Sequence, residues 1–294
     1  VITFWRSNSP AEHRLAEYFS IGAKVVGLDF ITMANDGYTG PLGETTVAIT
    51  TGVKYPSRRI IEEHAMLGKK FICVDKGYKR GRGSDPAAKM SYYRASVGGF
   101  QPLDYFQMIP RPSDRWDRLG FVIEPRKKGG RDIIYAGSSQ KYSDFKRLGD
   151  ANAYANKIMR RAFKHCPKAQ RGSIIYRPKP SWKGAEPVPK FKFSQNVVKI
   201  NRALMDAYAL ITYGSNAALD SILAGVPTVV LGDSIAQPIA MKELSDLREP
   251  THPDSSVIHQ WGCDLAYCQW TPEEMRSGEM WETLLENLRS VDSE

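Results

Sequence analysis

ALITYGSNAALDSILAGVPTVVLG, Ala209–Gly232, is the stretch whose reading decides the fold. It opens on one short apolar run, Ala209–Tyr213, and closes on another, Thr228–Leu231, each the length of a buried parallel strand. Between them Ser215–Ala224 is long enough for a helix and carries apolar residues at Ala218, Leu219, Ile222 and Leu223. Gly225 is placed to stop that helix and Pro227 prevents its continuation. The stretch therefore reads as a β-α-β unit with very short connections, the building block of a parallel sheet.

The turn from strand to helix is Tyr213-Gly214-Ser215-Asn216. Gly214 allows a tight turn and a close ligand, and Ser215 or Asn216 can cap the helix. Unpaired N–H groups at the helix start would seat a phosphate, and Asp220, one turn further on, lies within reach of a sugar hydroxyl. An ordinary capped turn is the alternative. Gly-Ser-Asn-x3-Asp-x4-Ala-Gly-Val-Pro-x-Val-Val resembles the donor-binding segment of GT-B glycosyltransferases. That resemblance covers about two dozen residues. It implies a nucleotide sugar held at this turn, with Asp220 on the ribose.

Upstream, Val1–Trp5 reads as a strand and Arg6–Pro10 as a turn with Ser9 as N-cap. A helix follows to about Phe19, punctuated by Gly22, and Lys24–Phe30 is a second strand. Arg6, Ser7, Asn8 and His13 then lie at a strand's carboxyl end, where open α/β sheets place ligands. A third strand is expected at Thr46–Thr50, a helix at Ser57–Leu67 and a fourth strand at Lys70–Val74, ending at Asp75. This alternation indicates a Rossmann-like domain. Glu124–Arg131, EPRKKGGR, has the composition of a hinge. Beyond it come a strand at Asp132–Ala136, the turn Gly137-Ser138-Ser139, a basic helix near Asp150–Lys164 and a strand at Ser173–Tyr176. A helix is expected around Pro238–Leu247 and irregular chain through Asp264. Thr271-Pro272-Glu273-Glu274 then starts a last helix with Met280, Trp281, Leu284, Leu285 and Leu288 on one face.

Arg177-Pro178-Lys179-Pro180 resembles the Arg-x-His-Pro signature of several bacterial GT-B enzymes, with Lys179 in place of histidine. The expected fold is α/β of the GT-B type, two Rossmann-like domains facing each other across a cleft with the C-terminal helix crossing back. Residues 1–125 would bind the acceptor, 126–270 the nucleotide sugar, and 271–294 would pack on the first domain.

At 42% hydrophobic and 11% aromatic residues in 294, the chain has the composition of a globular protein. No apolar run approaches the ~20 residues of a membrane-spanning helix, so no membrane insertion is expected. Cys73, Cys166, Cys263 and Cys268 suit a reducing cytoplasm better than a disulfide scaffold. His252, His259, Cys263 and Cys268 match no standard zinc spacing. With no Asp-x-Asp motif a divalent metal is not indicated, a helix dipole and cations being able to serve in its place.

Charge is unevenly spread. Lys69–Arg202 holds 31 Lys and Arg against 10 Asp and Glu, a net +21, whereas Ala203–Glu294 holds 4 against 15, a net −11. Such a basic middle indicates a polyanionic partner. Lys76, Tyr78, Lys79, Arg80, Arg82, Tyr92, Tyr93 and Arg94 interleave cations with aromatics, as stacking on bases and contacting phosphates require. Solvated loop with core tyrosines is the alternative. In architecture and charge the chain resembles bacteriophage enzymes that glucosylate hydroxymethylated pyrimidines in DNA. The resemblance implies transfer of a sugar, foremost glucose from UDP-glucose, to hydroxymethylcytosine or a related base in double-stranded DNA, by a monomer in the cytoplasm of an infected bacterium. Two other functions are open: a GT-B enzyme acting on a cell-surface polysaccharide or lipid-linked glycan, and a non-catalytic nucleic-acid-binding protein. In a transferase, Gly214, Ser215, Asn216, Arg177 and Lys179 would stabilise the leaving diphosphate. Asp75 would deprotonate the acceptor, with Asp36 and His13 as rivals.

Overall fold

The computed structural model describes residues 1–79, 92–101, 110–194 and 199–290. The first part of the chain forms β1 (Ile2–Arg6), α1 (Pro10–Val25), β2 (Phe30–Ala34), β3 (Val47–Thr51), α2 (Ser57–Met66), β4 (Lys70–Lys76) and β5 (Tyr93–Val97). The middle forms α3 (Asp114–Leu119), β6 (Asp132–Ala136), α4 (Gln140–Phe145), α5 (Ala151–His165), β7 (Ile174–Arg177), β8 (Lys192–Phe193), α6 (Ile200–Ala203), β9 (Ala207–Thr212), α7 (Ala217–Leu223) and β10 (Thr228–Val230). The chain closes with α8 (Ser255–Ala266), β11 (Gln269–Trp270), α9 (Pro272–Ser277) and α10 (Glu279–Ser290). These elements divide into two units, Val1–Arg111 with Asp264–Glu294, and Pro112–Cys263.

The first unit is built on a sheet of order β11-β5-β4-β3-β1-β2. Strands β4, β3, β1 and β2 are parallel, and β5 and β11 run antiparallel at one edge. β1 and β3 have four consecutive buried residues each, as central parallel strands covered on both faces do. β2 sits at the edge and is largely exposed, which is why the apolar run Lys24–Phe30 misplaces it: helix α1 continues to Val25 and the strand begins only at Phe30.

Gly22 does not end α1. It lies inside the helix, where a Cβ would overlap Met275 O of α9, so the missing side chain lets a second helix lie against it. Helices α9 and α10 pack back on α1, and Trp281 Nε1 donates to Phe19 O at 2.9 Å. Trp281 meets Phe19 and Phe30 edge-on, in a core shared with Phe4, Ile49, Ile72, Met275, Met280 and Leu284. Each such large side chain removed from water contributes about 1.5–3 kcal/mol. Thr271 and Glu274 form a reciprocal capping box at the start of α9, as their spacing predicts. Gly278, at φ 94°, then breaks the expected single helix in two.

The second unit has a five-stranded, wholly parallel sheet of order β10-β9-β6-β7-β8. Its two faces are covered by separate apolar clusters, one around Ile133, Tyr135, Ile158, Met159 and Ile211, the other around Ile134, Leu204, Leu210 and Val226. Glu124–Arg131 is not a free linker. Glu124 N donates to Leu223 O and Lys127 N to Gly225 O, both at 2.8 Å, and Gly225 holds φ 72° with Pro125 O where a Cβ would be. The division between the units falls upstream of this segment, at Arg111/Pro112. Instead of the helix expected around Pro238–Leu247 there is a run of turns ending in a 3-10 segment, Leu244–Arg248.

Candidate functional site

In the second unit the chain leaves β6 first to one side, to β7, and later to the other, to β9. The gap between β6 and β9 is thus a topological switch point, and open α/β sheets bind ligands outside the carboxyl ends of strands there. Two turns meet at this place: Gly137-Ser138-Ser139 after β6 and Tyr213-Gly214-Ser215-Asn216 after β9. Thr212 joins them, since its hydroxyl donates to Ala136 O at 2.9 Å and accepts from Ser215 N at 3.1 Å. A third turn, after β10, closes in from the side. A Cβ on Gly214 would overlap Asp233 O and Tyr142 Oη, and Tyr142 Oη donates to that same carbonyl at 3.3 Å. Lys146 pairs with the Asp233 carboxylate.

The start of α7 differs from the sequence expectation. The helix is seven residues long, Ala217–Leu223, and Asn216 at its N-cap makes no side-chain cap bond. Ser215 Oγ accepts from Ala217 N at 3.2 Å, Ser215 O from Ala218 N at 3.0 Å, and Asn216 O from Leu219 N and Asp220 N. With Ser215 N on Thr212, the amides of Ser215, Ala217 and Ala218 are engaged within the turn itself. Ser215, Asn216 and Asp220 are each half-buried at this place.

The β6 side carries a different feature. Gly137 N donates to Arg177 O at 3.0 Å, and a Cβ on Gly137 would lie 2.6 Å from the Tyr176 ring. Tyr176 is fully buried, yet its hydroxyl has no hydrogen-bond partner, and neither has the buried hydroxyl of Ser139. Buried hydroxyls are normally satisfied, so two orphans at one switch point mark polar capacity that the fold leaves unused. Burial, then the Asp150 charge, pushes the Tyr176 phenol up to about 12, so it is a neutral donor at any physiological pH. Arg177 ends β7 half-buried beside this turn, and Lys179, two residues on, is exposed.

The expected first-domain residues fall at the carboxyl edge of the first sheet, whose switch point lies between β1 and β3. His13, exposed on the first turn of α1, contacts Arg6 at the end of β1, and Glu12 Oε2 accepts from Ser7 N at 2.7 Å. Asp36 is exposed in a 3-10 turn directly after β2. Asp75 lies in β4, two strands from β1. One of its oxygens accepts from Lys76 N at 2.8 Å and the other from Arg94 at 3.3 Å.

Tyr78 and Arg94 occupy the interior of the first unit rather than a surface for bases. Tyr78 is 4% and Arg94 2% exposed, and both hydrogen-bond Gln101 Oε1 at 2.8 Å. Arg94 also lies 4.2 Å from the Phe100 ring. Gln269 of β11 accepts from Tyr78 N and Lys79 N, and Gly77 N donates to Tyr92 O, so Asp75–Lys79 is tied into the sheet edge and is not an open glycine loop. Tyr92 and Tyr93 are half-buried and Lys76 is exposed; Arg80 and Arg82 lie outside the described residues. Sequence reasoning missed Ser139, Tyr142, Tyr176, Lys146 and Asp233. The signal for the first was present: a Gly-Ser-Ser turn directly after a central strand whose last four residues, Ile133–Ala136, are all buried.

No family model matches the chain, and no curated protein matches its sequence. Among solved structures it is similar to the β-Kdo 2,7-transferase of Thermosulfurimonas dismutans KpsC, over 96% of this chain and 99% of that one, at 12% identity and a TM-score of 0.51. The β-Kdo 2,4-transferase of the same KpsC covers 90% of this chain and 89% of its own, at 10% identity and a TM-score of 0.49. At such identities the likeness is one of fold, and function has to be argued from the site. The fold is of the GT-B type: two Rossmann-like α/β units, with C-terminal helices laid on α1 of the first. Among the described residues no helix is long and apolar enough to cross a membrane.

Proposed function

We propose that the chain is a glycosyltransferase that moves a sugar from a nucleotide donor to a hydroxyl of a cell-surface polysaccharide or lipid-linked glycan. The observation that carries this reading is the β6/β9 switch point, where Gly137–Ser139 and Gly214–Asn216 converge beside the orphan hydroxyls of Tyr176 and Ser139. In it the donor lies across these turns, Arg177 and Lys179 offset charge on the leaving phosphates, and Asp220 reaches the ribose. His13, at the switch point of the first unit with its ring against Arg6, and Asp75, which accepts from Lys76 N and Arg94, are the candidate acceptor bases. The glycan acceptor is preferred to DNA because Tyr78 and Arg94, two of the residues assigned to bases and phosphates, are interior. The full-length likeness in fold to a Kdo transferase fits the same choice.

The test is to offer the protein UDP-, GDP- and CMP-linked sugars with glycan acceptors, and in parallel with DNA containing hydroxymethylcytosine, and to follow nucleotide release and the mass of the acceptor. Release that depends on a glycan acceptor supports the reading. Modified DNA with untouched glycans moves the acceptor to nucleic acid, and no release with any donor removes the transferase.

A further inference from the structure

The most cationic part of the second unit lies away from the strand ends just described. Residues 151–173, before β7, contain no Asp or Glu at all. Within them α5 places Lys157, Arg160, Arg161 and Lys164 at i, i+3, i+4 and i+7, the spacing of a single helix face. All four are exposed, while Ala155, Ile158, Met159 and Ala162 on the other face are buried in the core. Like charges four apart weaken a helix by a few tenths of a kcal/mol per pair, so Lys157 with Arg161 and Arg160 with Lys164 are kept against a local cost. Phe163 borders the stripe at 41% exposure, edge-on to Phe191 with Arg171 over its ring at 5.2 Å.

The stripe leads to the amino-terminal edge of the sheet, since α5 runs back along it before the chain enters β7. At the same edge, just before β6, β9 and β10, lies a pocket of about 560 Å³. Arg126, Lys127, Lys128 and Arg248 line it, with Glu249 as its one carboxylate. Two of these cations are anchored by backbone carbonyls: Arg126 donates to Pro250 O at 2.7 Å and Lys127 to Leu204 O at 3.0 Å. Helix α5 packs against the 3-10 segment Leu244–Arg248 that delivers Arg248, so stripe and pocket belong to one edge.

We propose that this edge of the second unit docks on the surface of an anionic lipid bilayer, with the cationic C-terminal half of α5 meeting the headgroups and the pocket taking one phosphodiester headgroup. Charge complementarity requires a polyanion, and the exposed Phe163 ring selects among polyanions. An apolar ring set among cations gains from an acyl boundary, whereas a duplex keeps its bases stacked and offers the ring only phosphates. The docking edge is the one opposite the strand ends of the candidate site, so a bound bilayer leaves that site uncovered.

The experiment is co-sedimentation of the full chain with vesicles of phosphatidylcholine alone and of phosphatidylcholine with phosphatidylglycerol, at increasing salt. Binding is expected only to the anionic vesicles and is expected to weaken with salt. Each neutralised cation should loosen it about fivefold. The fourfold variant K157E/R160E/R161E/K164E should lose it, and K128Q/R248Q should be intermediate, both with unchanged melting curves; if the fourfold variant does not fold, K157Q/K164Q carries the comparison. Equal binding to both vesicle types, no binding to anionic vesicles, or full retention by the α5 variants overturns the proposal. So does tighter, equally variant-sensitive binding to a DNA duplex at matched salt, which would assign the face to nucleic acid.

Discussion

Tyr176 is the residue at which stability and ligand binding are expected to part. A buried hydroxyl without a partner costs about 1–3 kcal/mol, so Tyr176→Phe, which keeps the ring against Gly137, should raise stability by about 1 kcal/mol, read as a higher urea midpoint. The same substitution should weaken binding of the nucleotide sugar in calorimetry. A stabilised protein with unaltered donor affinity would take the hydroxyl out of the site. Gly214→Ala is expected to act in the opposite sense, pressing a methyl into Asp233 O and Tyr142 Oη at a cost of about 1–3 kcal/mol, seen as a lowered Tm. His64, buried with Nδ1 against Ile60 O, supplies a pH dependence. Burial holds its imidazole below the ordinary histidine range. The unfolded chain therefore binds a proton that the folded one does not, and stability rises with pH through that window. As pH falls below about 6.5 the protein should lose up to about 1.4 kcal/mol per pH unit from this group. His64→Gln, which keeps a donor for Ile60 O, should flatten that slope in denaturation curves at pH 5 to 7 (about the range where imidazole titrates).

At the scale of elements, the capping box of α9 gives the clearest expectation. Thr271→Ala removes the acceptor for Glu274 N and should cost about 1 kcal/mol in thermal denaturation, and Thr271→Ser should restore most of it. That motif was legible because both its partners are local. The β-α-β unit around α7 and strand β6 were legible for a related reason: central parallel strands are apolar on both faces and short turns bound them. Elements whose character depends on distant neighbours were not. Gly22 reads as a stop until α9 is seen lying on it. Helix α8 has no alternating face to detect, because residues 261–266 are all buried and the 3.6 period is hidden. The same limit governs the site: Gly214 is visible in the sequence, whereas the pairing of Tyr176 with Gly137 depends on the register of β6 with β7.

For the whole molecule, the two units have separate sheets and cores, and the first is assembled from two pieces of chain. Trp281→Ala should remove about 3–5 kcal/mol from the first unit, a mutation lying 262 residues from the Phe19 it bonds on α1. Calorimetry should show one of two transitions displaced and the other held. A fragment of residues 112–263 should keep a cooperative melt, and residues 1–111 alone should not, for want of Trp270, Met275, Met280 and Trp281. The basic block Lys69–Arg202 straddles the division at Arg111/Pro112, so its net +21 is shared between the units and never describes one surface.

The two-piece build of the first unit also sets a timetable. During translation the earliest-made strands wait, without α9 and α10, while the inner unit emerges and closes. A ribosome stalled before residue 264 should therefore carry a protease-resistant middle and a protease-sensitive beginning.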